Sequence, residues 1–251
     1  MVFFLTLLAI VLLQFFSAVV AIRYRTDKLT DLAYWWTFFV IIWLLYLRWS
    51  TQDIIHTLLV ILVSIWSLRL ALYLFLRVLA VGKDKRFDGI REQKHSFAKF
   101  RILQTVVIFL LFVPLIWSMW SDEIGSSWYT WVGVLVVSCG IVLESVADRQ
   151  KFRFKQQYPT RWCSVWVWSK VQYPNYLGEM LVWIGLYMIC LHLLEWAQVV
   201  VWLISPFTII WLLVFITWIP PLEQAHKKQR GTEQEWKAYT ENTPKLIPHV
   251  Y

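Results

Sequence analysis

Residues 102–121 read ILQTVVIFLLFVPLIWSMWS, twenty positions without one charged side chain. A helix needs about 20 mostly apolar residues to cross a membrane, because the hydrocarbon layer is ~30 Å thick and each residue climbs ~1.5 Å. Outward from this run the same signature recurs at 1–22, 32–47, 54–81, 124–143, 180–194 and 196–222. Arg69 and Arg77 interrupt the 54–81 run, and Glu195 alone separates the last two. The pattern predicts an all-α fold, a polytopic membrane helix bundle of about seven transmembrane helices with a cytoplasmic cap. One membrane domain spans 1–251, divided into a two-span N-terminal hairpin at 1–53 and a larger bundle with its tail at 54–251.

Composition supports the same reading. The chain is 59% hydrophobic and 16% charged, with a mean hydropathy of +0.56, where a soluble domain averages ~45–50% apolar and ~25% charged. Eighteen tryptophans and sixteen phenylalanines suit a chain that crosses membrane–water interfaces, where aromatic rings collect. Cys139, Cys163 and Cys190 form neither a C-x-x-C pair nor an even framework, which argues against a disulfide scaffold or a cysteine zinc site. The first apolar run lacks the basic start of a signal peptide and is read as a retained anchor.

Basic residues fall on alternate connections. Residues 23–31 hold three, 82–101 seven, 147–175 six and the tail after Leu222 five, which is 21 of the 24. Cytoplasmic loops carry such an excess, so the C-terminus is expected in the cytoplasm and the N-terminus outside. A bacterial inner membrane and an endoplasmic reticulum membrane fit this topology equally. Topology accounts for the basic loops without a nucleic-acid partner.

Ionisable groups within a span are costly, roughly 2.5–3.5 kcal/mol at the centre, and so mark functional candidates. Trp66, Arg69, Tyr73 and Arg77 form one helical stripe; Arg77 can snorkel to the interface, whereas Arg69 points to an inward cavity or anion contact. Glu144, Asp148, Lys151 and Lys155 recur at 4, 3 and 4 on one helix face. They would suit a ligand with a polar head and a phosphate-rich tail, or could simply pair along the helix. Pro174 suits a helix start, and Asn175 and Glu179 follow one turn apart. The tail carries Glu223, His226, Lys227 and Arg230, then Trp236, Tyr239 and an apolar ending that suggests it folds back. There is no G-x-G-x-x-G after a strand, no Walker lysine loop and no H-E-x-x-H, and the five histidines lack metal spacing. No lysine in the last span could form a retinal Schiff base, and no matched pair of broken helices marks an inverted-repeat transporter.

Together these clusters resemble a known family. Glu144-x-x-Ala147-Asp148-x-Gln150-Lys151, Pro174-Asn175-Tyr176-x-Gly178-Glu179 and Lys245-Leu246-Ile247-Pro248 occur in the order of the steroid 5-alpha-reductase C-terminal superfamily. The upstream stretches Trp66-Ser67-Leu68-Arg69-Leu70 and Gly82-Lys83-Asp84-Lys85-Arg86-Phe87 are similar to its branch of uncharacterised multi-pass membrane proteins. Trp66 stands where steroid reductases place an active-site tyrosine. The resemblance implies that 54–251 is a cofactor-binding bundle holding NADPH, and that the reaction reduces an activated C=C bond in a lipophilic substrate drawn from the bilayer. By motif, Glu144, Asp148, Lys151, Lys155, Asn175, Tyr176, Glu179, His226, Arg230 and Tyr239 would hold the cofactor. Arg69 and Tyr73 would be catalytic, stabilising a developing enolate oxygen. Partners would be that small molecule and membrane lipids, with no nucleic acid and no metal. Isoprenylcysteine or phospholipid methyltransferases, which use S-adenosylmethionine, share the tail architecture and form one alternative. A non-enzymatic membrane protein, its acids paired with Arg69 or Lys151, is the other.

Overall fold

The computed structural model describes residues 1–24, 28–81, 94–121, 125–159, 161–193, 196–216 and 234–246. Every regular element among them is helical. They are α1 (Val2–Tyr24), α2 (Lys28–Trp49), α3 (Ile54–Val81), α4 (Lys94–Trp120), α5 (Trp128–Gln157), α6 (Pro174–Cys190), α7 (Trp196–Trp202), α8 (Ile204–Trp211) and α9 (Gln234–Asn242). Short tight turns at Trp166–Ser169 and Leu191–Leu193 precede and follow α6.

Among the described residues five stretches are long and apolar enough to cross a membrane: Val2–Val20, Ile54–Arg77, Arg101–Trp120, Trp128–Gln157 and Ala197–Phe215. Their outer faces carry large apolar groups, such as Phe4, Phe15, Phe16, Leu135 and Phe207, each more than 60% exposed. Water-soluble proteins avoid such surfaces, whereas lipid solvates them. The expected second and sixth spans are shorter, with Trp35–Trp49 as the apolar part of α2 and only 17 residues in α6. At ~1.5 Å per residue α6 reaches ~25 Å, less than the ~30 Å hydrocarbon layer. The last expected span is interrupted at Leu203. Pro206, two residues into α8, cannot donate to the carbonyl of Trp202, so the ladder breaks between α7 and α8. The chain then widens into a π turn at Leu212–Ile216.

The chain divides into two compact units, Met1–Trp131 with Leu186–Ser205 and Val132–Gly185 with Pro206–Tyr251. In the first, α2 packs chiefly on α3, and α1 on α2 and α4. Trp66 is fully buried, edge-on to Trp35 at 4.8 Å and to Phe38 at 5.2 Å, while Phe38 stacks on Phe112 at 5.4 Å. A polar thread crosses this core: Arg101 Nη1 donates to Gln14 Oε1 (3.1 Å), whose Nε2 donates to Thr37 (2.8 Å). Asp53 caps α3, its Oδ1 accepting the amides of Ile55 (2.7 Å) and His56 (3.0 Å). His56 is fully buried between the Asp53 carboxylate (3.0 Å) and the Ser118 carbonyl (2.8 Å), tying α3 to the end of α4.

The second unit rests on a close helix pair. Glycines stand seven apart on both helices, Gly133 and Gly140 on α5, Gly178 and Gly185 on α6. A Cβ on Gly140 would lie 2.7 Å from the Gly178 carbonyl oxygen, and one on Gly185 would lie 2.7 Å from that of Gly133. Real Cβ atoms do not come so near backbone, so only glycine permits this approach, as in other small-residue membrane crossings. The two contacts pair the earlier glycine of one helix with the later glycine of the other, so α5 and α6 run antiparallel.

Candidate functional site

The glycine crossing sets the position of the first acidic residue. A Cβ on Gly178 would stand 2.8 Å from the Cβ and backbone nitrogen of Glu144, so α6 lies directly on the α5 backbone there. Glu144 is 2% exposed and Asp148, one turn on, 4%. Ala147 between them is fully buried, and its carbonyl accepts the Trp168 indole N–H at 3.0 Å. Lys151 follows, its ammonium 4.7 Å from the centre of the Trp168 ring, a cation–π distance. Lys155 Nζ donates to the carbonyls of Arg161 (2.5 Å) and Pro159 (3.2 Å), closing the loop after α5.

On α6, Asn175 occupies the first turn and Glu179 the next, both part-buried. The side-chain oxygen Oδ1 of Asn175 is shielded from solvent, and no described residue donates to it. A buried acceptor left unmet costs roughly 1–3 kcal/mol, so this atom calls for a donor. Tyr176 stacks on Tyr173, rings 5.7 Å apart and 6° from parallel.

The tail seals this end of the unit. The amides of Gln172 and Tyr173 donate to the carbonyls of Pro244 (2.9 Å) and Lys245 (3.0 Å). The Gln172 side-chain amide reaches the carbonyls of Thr243 (2.5 Å) and Thr240 (3.1 Å). On α9, Tyr239 donates its hydroxyl to the Trp168 carbonyl at 2.6 Å, and Trp236 meets Trp162 edge-on at 5.3 Å. Burial, and after it the neighbouring Cys163 and Tyr173, push the Tyr239 phenol above its ordinary range. It is therefore a fixed hydrogen-bond donor at neutral pH. Trp168 is the hub, linking α5 through Ala147 and Lys151, and α9 through Tyr239.

The second unit contains Glu144, Asp148, Lys151, Lys155, Asn175, Tyr176, Glu179 and Tyr239; it sets Glu144 against α6 at Gly178 and joins Lys151 and Tyr239 through Trp168. Arg69 and Tyr73, one turn apart on α3, belong to the first unit, where both are part-buried and the Nε and Nη2 atoms of Arg69 are shielded from solvent. His226 and Arg230 lie outside the described residues. Trp168 and Gln172, the two organising residues, carried no role in the sequence reading, and neither did the glycines. The seven-residue glycine spacing was visible in both helices; the partners of Gln172, some seventy positions away, carried no local signal. Among the described residues no group of histidine, cysteine and acidic side chains could hold a metal.

These features define a class: a multi-pass membrane protein, helical throughout its described residues, with buried acids on a glycine-tightened helix pair. The model of a family of proteins of unknown function, DUF1295, matches residues 17–243. The chain belongs to that family. No curated protein and no solved structure matches it.

Proposed function

We propose that the protein is an NADPH-dependent reductase of an activated C=C bond in a lipophilic substrate, within the steroid 5-alpha-reductase-like superfamily. The observation that carries the reading is Asn175 Oδ1, a shielded acceptor without a donor among the described residues, on the helix that also packs against the buried Glu144. The fit to a nicotinamide nucleotide is chemical. Carboxylates repel phosphate but accept hydrogen bonds from ribose hydroxyls, and an amide oxygen accepts from a carboxamide N–H. Bound there, NADPH would supply the hydride. Asn175, Glu144, Asp148 and Glu179 would orient its uncharged polar parts, and Lys151 would serve its phosphates. The buried Trp168 and the sealed tail would limit water near the reacting centre. Arg69 and Tyr73 are the groups assigned to stabilising negative charge on the substrate oxygen, since guanidinium and phenol both donate to an oxyanion. Seven spans, an external N-terminus and a cytoplasmic C-terminal cap accompany this reading, supported by the 21 of 24 basic residues on alternate connections.

The test is ligand-induced stabilisation of the purified protein by NADPH, with S-adenosylmethionine as the competing ligand, followed by loss of enone absorbance with NADPH present. Stabilisation by S-adenosylmethionine alone would make the protein a methyltransferase. Stabilisation by neither would leave a non-enzymatic membrane protein. Arg69→Lys and Tyr73→Phe should lower kcat while leaving the NADPH-induced shift intact.

A further inference from the structure

At the end of the first unit where α2 and α4 finish, Arg48 is the basic residue of the turn 48–53. That cation lines a cleft of about 400 Å³ with Trp49, Trp117, Trp120 and Ser121. The volume falls in the lower part of the ~300–1,000 Å³ range of small-molecule sites. Arg48 is exposed, and its guanidinium lies 5.7 Å from the Trp49 ring centre. Among the described residues no carboxylate pairs with it. The aromatic walls are held in place. Trp117 meets Trp120 edge-on at 5.6 Å and is backed by Phe3 at 6.4 Å and Trp202 at 6.1 Å. Trp49 and Trp120 each end an apolar helix, which puts the cleft at the depth where lipid headgroups meet hydrocarbon.

The chemistry of the cleft has two signs. Arg48 offers a planar set of donors suited to a phosphodiester. The tryptophan faces attract a cation, and the carbonyl ends of α2 and α4 add partial negative charge. A purely anionic headgroup would satisfy Arg48 but face two negative helix ends, whereas a headgroup carrying both phosphate and ammonium satisfies both. We infer that this cleft binds the headgroup of a zwitterionic phospholipid, its phosphate on Arg48 and its ammonium toward Trp117 and Trp120. The occupant is a membrane lipid rather than a soluble phosphoester, because the two helices ending there offer apolar flanks along which acyl chains lie. This site is independent of the reductase reading, since it uses none of the residues assigned to that reaction.

The test is native mass spectrometry of the full chain, delipidated in detergent and titrated with phosphatidylethanolamine or phosphatidylglycerol. One phosphatidylethanolamine should bind about five-fold more tightly than the first phosphatidylglycerol, the size of one cation–π contact. Arg48→Gln and Trp120→Ala should each abolish that preference while later, weaker adducts persist. Arg48→Lys, which keeps the charge but loses the fork, should retain part of it and carries the test if Arg48→Gln does not fold. Equal or tighter binding of phosphatidylglycerol by the wild type, or wild-type selectivity in both Arg48→Gln and Trp120→Ala, overturns the assignment. Millimolar glycerophosphoethanolamine should leave the adduct in place; displacement would mean a soluble ligand and refute the lipid.

Discussion

Gly178→Ala is the sharpest probe of the second unit. The new Cβ would stand 2.8 Å from the Glu144 Cβ, from the Glu144 nitrogen and from the Gly140 carbonyl oxygen. Two of these three are backbone atoms and cannot rotate away. Ordinary carbon contacts sit at ~3.5–4.0 Å, so the helices must part by about 1 Å. Overpacking of this kind costs about 1–3 kcal/mol. Alanine returns about 1 kcal/mol through its higher helix propensity, and the separation also forfeits weak Cα–H···O contacts worth ~0.5–1 kcal/mol each. A net loss of about 1–2 kcal/mol follows, or roughly 2–8 °C in melting temperature for a chain of this size. In a Cys139→Ser background, which removes the exposed thiol, a thiol-reactive dye can follow the melt, because Cys163 and Cys190 are buried and react only once the structure opens. Gly140→Ala strikes the same crossing, so the double variant should lose less than the sum of the two singles, with a coupling of at least about 0.5 kcal/mol. A melting temperature equal to or above wild type would mean that propensity dominates and that α5 and α6 are not in contact. Strict additivity would refute the shared crossing.

Other outcomes follow from single groups. Asn175→Ala removes an acceptor to which no described residue donates, an arrangement that costs roughly 1–3 kcal/mol, so its melting temperature should equal or exceed that of wild type while the NADPH-induced shift is lost; a destabilised variant would mean a structural role. Asp53→Ala should cost about 1 kcal/mol through the lost cap. Burial raises the Asp53 pKa, but the amide of His56, the Thr51 hydroxyl, the His56 ring and the Ile55 amide outweigh it and hold the carboxyl below its usual range. Its contribution is therefore complete above the unfolded pKa and fades as pH falls through the folded one, so Asp53→Asn should flatten the acid side of the stability profile measured from pH 7 to pH 3. Gln172→Ala leaves the carbonyls of Thr240 and Thr243 without that donor and should cost about 1–3 kcal/mol; hydrogen exchange at residues 240–245 should rise before exchange in α5.

The helical class and most of the apolar runs were legible because the bilayer imposes one rule on every residue of a span, and a run of twenty uncharged positions satisfies it locally. The lengths of the second and sixth runs were less legible, because helix ends depend on packing as well as on hydropathy. Glu144, Asp148, Asn175 and Glu179 could be singled out because buried polar groups are costly wherever they fall. The junctions were not legible: Trp168 binding α5 and α9 together, and Gln172 holding the tail, involve partners far away in sequence. Lys155, expected to serve a ligand, donates to its own loop carbonyls, a contact set by where the chain turns after Gln157.

The amino-acid sequence by itself determined that this chain must be helical and apolar-faced, because hydrogen-bond satisfaction and hydrocarbon thickness act residue by residue. Tertiary structure alone decided which helix Glu144 meets, because that depends on how closely two helices can approach. Here the approach is set by Gly140, Gly178 and Gly185, where an absent Cβ lets one backbone rest on another and carries Glu144 against α6.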